Sequence, residues 1–142
     1  MEKEPLLSDF RISTDKSELN IDMIYDFLFN SYWAAGISRE VVIKSIENSV
    51  TFGIYKNKHQ IGFARVITDK STFAYLADVF VLPAYRGIGL SKRLMTYILN
   101  YPDLKHLRSI MLATRDAHGL YAKFGFKPID QLQKYMILKS NQ

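Results

Sequence analysis

The chain contains no cysteine. Disulfides, thiolate metal sites and a cysteine nucleophile are therefore excluded, and the redox character of its compartment stays open. Histidine is scarce too: His59 falls in a polar turn, His106 in a loop and His118 before a short apolar stretch. No two of them stand at ligand spacing, so a metal site is not expected. No apolar run is long enough for a membrane span, and the polar start Met1-Glu2-Lys3-Glu4-Pro5 does not read as a signal peptide. A cytoplasmic protein without a membrane partner is the expectation. Repeats, low-complexity tracts and linkers are missing as well, so residues 1–142 read as a single domain. An excess of one charge sign is modest: 19 Lys and Arg against 14 Asp and Glu, net +5. The basic residues are scattered, and a nucleic-acid-binding domain has no motif behind it.

What is present is a core. Hydrophobic residues make up 48% of the chain, as in globular proteins. Residues 9–14 predict a strand. Ile21, Ile24, Tyr25, Leu28 and Phe29 fall at helical spacing behind Asn20 as N-cap, and Ser38 caps a second helix reaching about Glu47. The period then changes to two over 50–55, 60–68 and 73–82, separated by polar turns, which predicts an antiparallel meander. Leu90, Leu94, Tyr97, Ile98 and Tyr101 form one stripe of a helix ending near Pro102. A short strand is expected over 109–113, then a helix over 117–124 capped by Asp116 and closed at Gly125, and a last strand over 134–139. The order βααβββαβαβ is an α+β mixture, a central sheet with helices on both faces.

The most informative stretch is Arg86-Gly87-Ile88-Gly89-Leu90-Ser91-Lys92, between an apolar strand and an amphipathic helix. A helix start offers unpaired N–H groups and the positive end of a dipole, and glycine lets a ligand approach the backbone. The combination is an anion cradle. A dinucleotide fold would want a third glycine where Lys92 stands, and a P-loop would need Gly-Lys-Ser/Thr, which is absent.

Two carboxylate and guanidinium positions interrupt apolar strands. Asp78 shares strand parity with Ala74, Leu76, Phe80 and Leu82, and Arg65 with Ile61, Phe63 and Ile67. Burying either is costly unless it is paired or has a task. A hairpin turning around Lys70 sets Asp78 opposite Gly62 and sends Arg65 to the other face, which argues against a salt bridge between them. A bulge would reverse that conclusion. Arg65 is then free for a substrate carboxylate or another partner. Tyr32 and Trp33, between the first two helices, are candidates for an aromatic wall suited to an apolar or cationic ligand, or for packing between the helices.

Arg86-Gly87-Ile88-Gly89-Leu90-Ser91 resembles the Arg/Gln-x-x-Gly-x-Gly/Ala pattern of the GCN5-related N-acetyltransferase (GNAT) superfamily. Leu120-Tyr121-Ala122-Lys123-Phe124-Gly125-Phe126 is similar to the superfamily's Leu-Tyr-x-Lys-x-Gly-Phe block. The resemblance spans about residues 50 to 127. It implies the GNAT fold, a mostly antiparallel mixed sheet, and acetyl-CoA as co-substrate. The pyrophosphate would lie on the N–H groups of residues 87–92, with Lys92 and Arg93 adding screened charge, and the pantetheine arm on the backbone of Val79, Phe80 and Val81. Ser91 departs from the usual Gly or Ala, and Thr114 from an Asn that often touches the cofactor arm. Tyr121 takes the position that protonates the leaving CoA thiolate, and a phenol with a pKa of about 10 can donate there. Asp78 lies where many relatives carry a Glu general base. It is either that base, acting through water, or a structural carboxylate, and His118 is an alternative base.

The leading reading is an acetyl-CoA-dependent N-acetyltransferase working by direct attack of a small-molecule or peptide amine. The alternative is a non-catalytic acyl-CoA-binding or sensing module on the same fold. The resemblance also makes a homodimer possible. The acceptor is left open, because specificity in such folds lies in variable loops.

Overall fold

A computed structural model describes residues 7–140. Strand β1 (Phe10–Ser13) is followed by helices α1 (Ile21–Phe29) and α2 (Arg39–Glu47), then by β2 (Val50–Lys56), β3 (His59–Thr68) and β4 (Phe73–Val81). Helix α3 (Leu90–Leu99), strand β5 (Ser109–Leu112) and the short helix α4 (His118–Ala122) complete the order. The strands form one sheet in sequence order, antiparallel through β4, with β5 parallel to β4. No helix among the described residues is long and apolar enough to cross a membrane.

Local sequence accounts for most boundaries. The Asn20 side chain accepts the Met23 N–H at 3.1 Å, and the Ser38 hydroxyl accepts the Val41 N–H at 3.3 Å. Each satisfies a donor that a helix start leaves unpaired. Ile24 and Leu28 of α1, and Val42 and Ile46 of α2, are buried one turn apart. They pack with Phe63 and Phe80 on one face of the sheet. Leu90, Leu94, Met95 and Ile98 of α3 cover the other face, over Phe52, Ile54, Ala64, Val66, Ala74 and Leu76. Full burial of such a side chain contributes about 1.5–3 kcal/mol.

The β3–β4 turn is fastened by one carboxylate. Asp69 Oδ1 accepts the N–H groups of Ser71, Thr72 and Phe73 at 2.9, 2.8 and 3.2 Å, and Oδ2 accepts the Thr72 hydroxyl at 2.6 Å. These bonds, the Thr72 hydroxyl first, hold the Asp69 carboxyl far below its usual range. A depressed carboxylate stabilises the fold above its ordinary pKa, and that stabilisation is lost as the pH falls below it. The melting temperature of the wild type is therefore expected to fall more between pH 5 and pH 2.5 than that of Asp69→Asn. Equal acid slopes in the two thermal melts would contradict this role.

One irregularity in β4 shapes everything that follows. Phe63 pairs with Phe80 and Arg65 with Ala77, so Asp78 and Val79 together stand opposite Ala64. This is a β-bulge, and Asp78 is its left-handed residue, with φ +55°. Asp tolerates that conformation better than most side chains, at a cost of roughly 1–2 kcal/mol. The extra residue reverses parity: Ala74 and Leu76 face α3, whereas Phe80 faces α1 and α2. The straight hairpin expected from sequence is thus corrected. Asp78 does not continue the face of Leu76, and Arg65 does pair with it, Nε to Oδ2 at 2.8 Å. The bulge is also where β4 leaves its other neighbour, since pairing with β5 ends at Leu76 and Leu112.

Two further expectations are corrected. The last helix is shorter than 117–124, and Asp116 does not cap it; the Thr114 hydroxyl accepts the Ala117 N–H at 3.0 Å instead. Gly125 does take the left-handed conformation, φ +93°. Residues 134–139 form no strand: a 3-10 turn at Leu132–Lys134 leads into an extended, exposed segment. A strand needs a ladder partner, and this segment pairs with no other strand among the described residues.

Candidate active site

β4 ends in a single turn, Pro83–Tyr85, and the chain enters α3 through Gly87 and Gly89, at φ +84° and +90°. Gly89 is the N-cap and offers no side chain to the helix. The first backbone bond onto it is Arg93 N–H to Gly89 C=O at 3.1 Å. The N–H groups of Leu90, Ser91 and Lys92 come before that bond and point from the positive end of the helix. A Cβ added at Gly87 would meet no atom within 4 Å, so the space over the turn is open. Leu90 lies in the core, and Ile88 packs against it, leaving their backbone to the turn. Arg86 Nε donates to the Val81 carbonyl at 2.8 Å and ties the turn to the end of β4. Lys92, through hydrogen bonding first and charge repulsion second, lowers the pKa of the Lys123 ammonium.

A second cluster gathers around the bulge. The Trp33 indole N–H donates to Asp78 Oδ1 at 2.9 Å, while Arg65 Nε donates to Oδ2 and Arg65 Nη1 to the Ser49 hydroxyl at 3.2 Å. The Asp78 and Arg65 side chains are only 9% and 16% exposed. Trp33 is set by Phe27 and by an edge contact with Tyr32, ring centroids 5.1 Å apart; Phe27 itself stacks on Phe80 at 3.9 Å. Tyr32 reaches toward α4. Its hydroxyl accepts the Arg115 N–H at 3.3 Å, and the Arg115 guanidinium sits 3.8 Å from its ring centroid. Tyr121 is 8% exposed, with Phe126 edge-on to its ring. Burial first, and Tyr32 second, push the Tyr121 phenol above its ordinary value of 10.

The sequence-derived residues therefore fall into connected groups. Gly87 to Lys92 form the turn, with Lys123 beside it. Tyr32, Trp33, Arg65 and Asp78 meet at the bulge, and Tyr32 links them to Arg115 and Tyr121. Val79, Phe80 and Val81 lie past the point where β4 parts from β5, with the Phe80 and Val81 side chains buried on opposite faces. Sequence reasoning missed Phe27 and Ser49. Phe27 was detectable as an apolar residue off the main stripe of its helix. Ser49 carries no signal, since only the bulged register brings Arg65 to it.

Comparison with known proteins agrees with this architecture. The Acetyltransferase (GNAT) domain family matches residues 47–128. The crystal structure of a candidate GNAT-family acetyltransferase from Xanthomonas campestris pv. campestris is 46% identical, with a TM-score of 0.90 over 92% of this chain and 93% of that one. A candidate acetyltransferase of Gibberella zeae is 32% identical across 81% of this chain and 77% of its own length. The ribosomal protein bS18 alanine N-acetyltransferase of Haemophilus influenzae is 28% identical over 63% of this chain and 62% of its own. With its family pattern laid over the bulged strand, the glycine turn and the Tyr121 helix, the chain belongs to the GNAT family of acetyltransferases.

Proposed function

We propose that the chain moves an acetyl group from acetyl-CoA to an amine by direct attack, with no acyl-enzyme. The observation that carries this is the geometry at the end of β4. A strand freed from β5 runs into an uncapped, glycine-lined helix start, and a buried phenol stands on the next helix. Acetyl-CoA supplies an acyl group activated as a thioester. The N–H groups of Gly87 to Lys92 suit its pyrophosphate, with Lys92 and Lys123 neutralising charge nearby. The freed backbone of Val79, Phe80 and Val81 suits the pantetheine arm, and an N–H near Val81 the developing oxyanion. Thr114 Oγ1 is used as an acceptor by Ala117, and its hydroxyl proton stays available to the same arm.

As the amine nitrogen forms its bond to the acetyl carbon, the carbon–sulfur bond breaks, and Tyr121 delivers a proton to the departing thiolate. Asp78 takes the proton lost by the amine through a water. Each of its oxygens accepts one fixed donor and keeps a second lone pair for that water. Tyr32 and Trp33 wall the acceptor side, suited to the apolar stem of a small-molecule or peptide amine. Arg65 is better assigned to holding Asp78 than to binding substrate, because its Nε and Nη1 are already engaged.

The decisive experiment is a panel of amines scored by CoA release, with thioester hydrolysis as background, beside calorimetry with acetyl-CoA. Binding with turnover of at least one amine is expected. Binding with no turnover on any amine would leave a sensing module, and no binding would end the proposal. Gly89→Val probes the turn separately. A β-branched residue at φ +90° is strained by roughly 1–2 kcal/mol and crowds the anion position. The Kd for acetyl-CoA should rise about tenfold or more, the equivalent of ~1.4 kcal/mol. An unchanged Kd in a folded variant would remove the turn from the donor site.

A further inference from the structure

Most arginines of this chain are matched to an acceptor. Arg11, Arg39 and Arg65 pair with carboxylates, and Arg86 and Arg93 donate to backbone carbonyls. Among the described residues the guanidinium groups of Arg108 and Arg115 have no such partner. Arg108 lies by Thr72, whose carbonyl accepts its backbone N–H at 3.1 Å, at the opposite end of β4 from the bulge.

Arg115 is unpaired and yet held in place. Its backbone N–H donates to the Tyr32 hydroxyl at 3.3 Å, and its guanidinium lies 3.8 Å from the centroid of the same ring. Stacking uses the face of a guanidinium and leaves its N–H edge to bind. Asp116, the next residue, is exposed and forms no ion pair with it. The other end of the aromatic wall is already balanced. Asp78 pairs with Arg65 at 2.8 Å, and Trp33, edge-on to Tyr32, donates to its second oxygen. Lys92 and Lys123 belong to the glycine turn, on the donor side. The acceptor wall thus runs from a neutralised carboxylate at Trp33 to an unmatched guanidinium at Tyr32. A second ammonium on the acceptor would meet repulsion there, whereas a carboxylate would meet a planar fork of donors.

We propose that Arg115 reads a carboxylate on the acceptor, so that the substrate is an amine joined to a carboxylate by a stem lying along Tyr32 and Trp33, and not a polyamine. This rests on the acetyl transfer proposed above and names its substrate class. The amine lies at the Asp78 end and the carboxylate at the Tyr32 end.

The test uses amino acids from glycine to aminohexanoate, each beside its own carboxamide, with spermidine as the polyamine. CoA release gives kcat/KM for the wild type and Arg115→Met. The acid and the amide differ in amine basicity, but that difference cancels when the acid-to-amide ratio of one protein is divided by that of the other. For the best pair the ratio should fall about tenfold or more in Arg115→Met, chiefly through KM. Arg115→Lys keeps the charge without the fork and should fall between the two. A Tyr32 ring merely displaced by the substitution would slow acid and amide alike and leave the ratio unchanged. An unchanged ratio, or a wild type that prefers the amides or spermidine, would overturn the inference. The fluorescence of Trp33, the lone tryptophan, reads the same comparison without turnover, in titrations with CoA present. If no amine reacts, the acetyl transfer falls, and the titrations still decide on Arg115: tighter binding of acids than amides, lost in Arg115→Met, supports its role, and equal binding ends it.

Discussion

Tyr121→Phe is expected to lower kcat for acetyl transfer by about 100-fold or more while leaving the Kd for acetyl-CoA nearly unchanged. General acid catalysis by a positioned side chain supplies roughly 10²–10⁴-fold, and the phenol hydroxyl is the only group this substitution removes. The ring keeps its edge contact with Phe126, centroids 5.8 Å apart, so the fold should be intact. A donor whose thiol is strongly acidic separates a proton donor from a packing residue. Its thiolate leaves without protonation, so the deficit should shrink toward the wild-type rate with such a thioester. A deficit of the same size for both donors would reduce Tyr121 to a packing role. The pH profile carries a second sign. Because the phenol is raised above 10, its active, protonated form persists through neutral and mildly alkaline pH. No loss of activity with a midpoint below 10 should disappear in Tyr121→Phe.

Arg65→Met should be strongly destabilising. It strips a guanidinium from a carboxylate that is 9% exposed and leaves Asp78 with the Trp33 indole as its remaining donor. Breaking a buried ion pair from one side costs about 3–5 kcal/mol, and the partial exposure of Arg65 places the expectation near 3 kcal/mol. The loss comes from an uncompensated charge, so neutralising that charge should recover part of it. Asp78→Asn keeps a side chain that tolerates φ +55° and removes the charge. The double variant should therefore lose less than the sum of the singles, with a coupling of about 1–3 kcal/mol in urea unfolding. Strict additivity, or an Arg65→Met loss under about 0.5 kcal/mol, would mean that the pair is a solvent-screened contact.

That pair marks the limit of what could be read along the chain. A strand's side chains alternate, so Ala74, Leu76, Asp78 and Phe80 are equally consistent with a straight strand and with a bulged one. An extra residue is visible only against the partner strand, where Phe63 meets Phe80 and Arg65 meets Ala77. The cap of the last helix was ambiguous for a similar reason. Asp116 and Thr114 are both good acceptors, yet neither caps the helix: its N-cap is Ala117, whose own N–H donates to the Thr114 hydroxyl. Residues 134–139 have strand composition, but pairing is a relation between two segments, and among the described residues no strand pairs with this one.

The features that sequence determined by itself are those made within a few residues. Asn20 and Ser38 cap their own helices, the α1 and α2 stripes bury residues one turn apart, and Gly87 and Gly89 take the left-handed conformations that an open turn demands. Short-range sterics and hydrogen bonding suffice for these, and together with the Tyr121 block they carried the family. Tertiary structure alone decided the register of β4, the partners of Asp78, the contact between Tyr32 and Arg115, and the fate of the last segment. Each depends on groups up to 83 residues apart meeting in space, so long-range packing settles it and no local pattern encodes it.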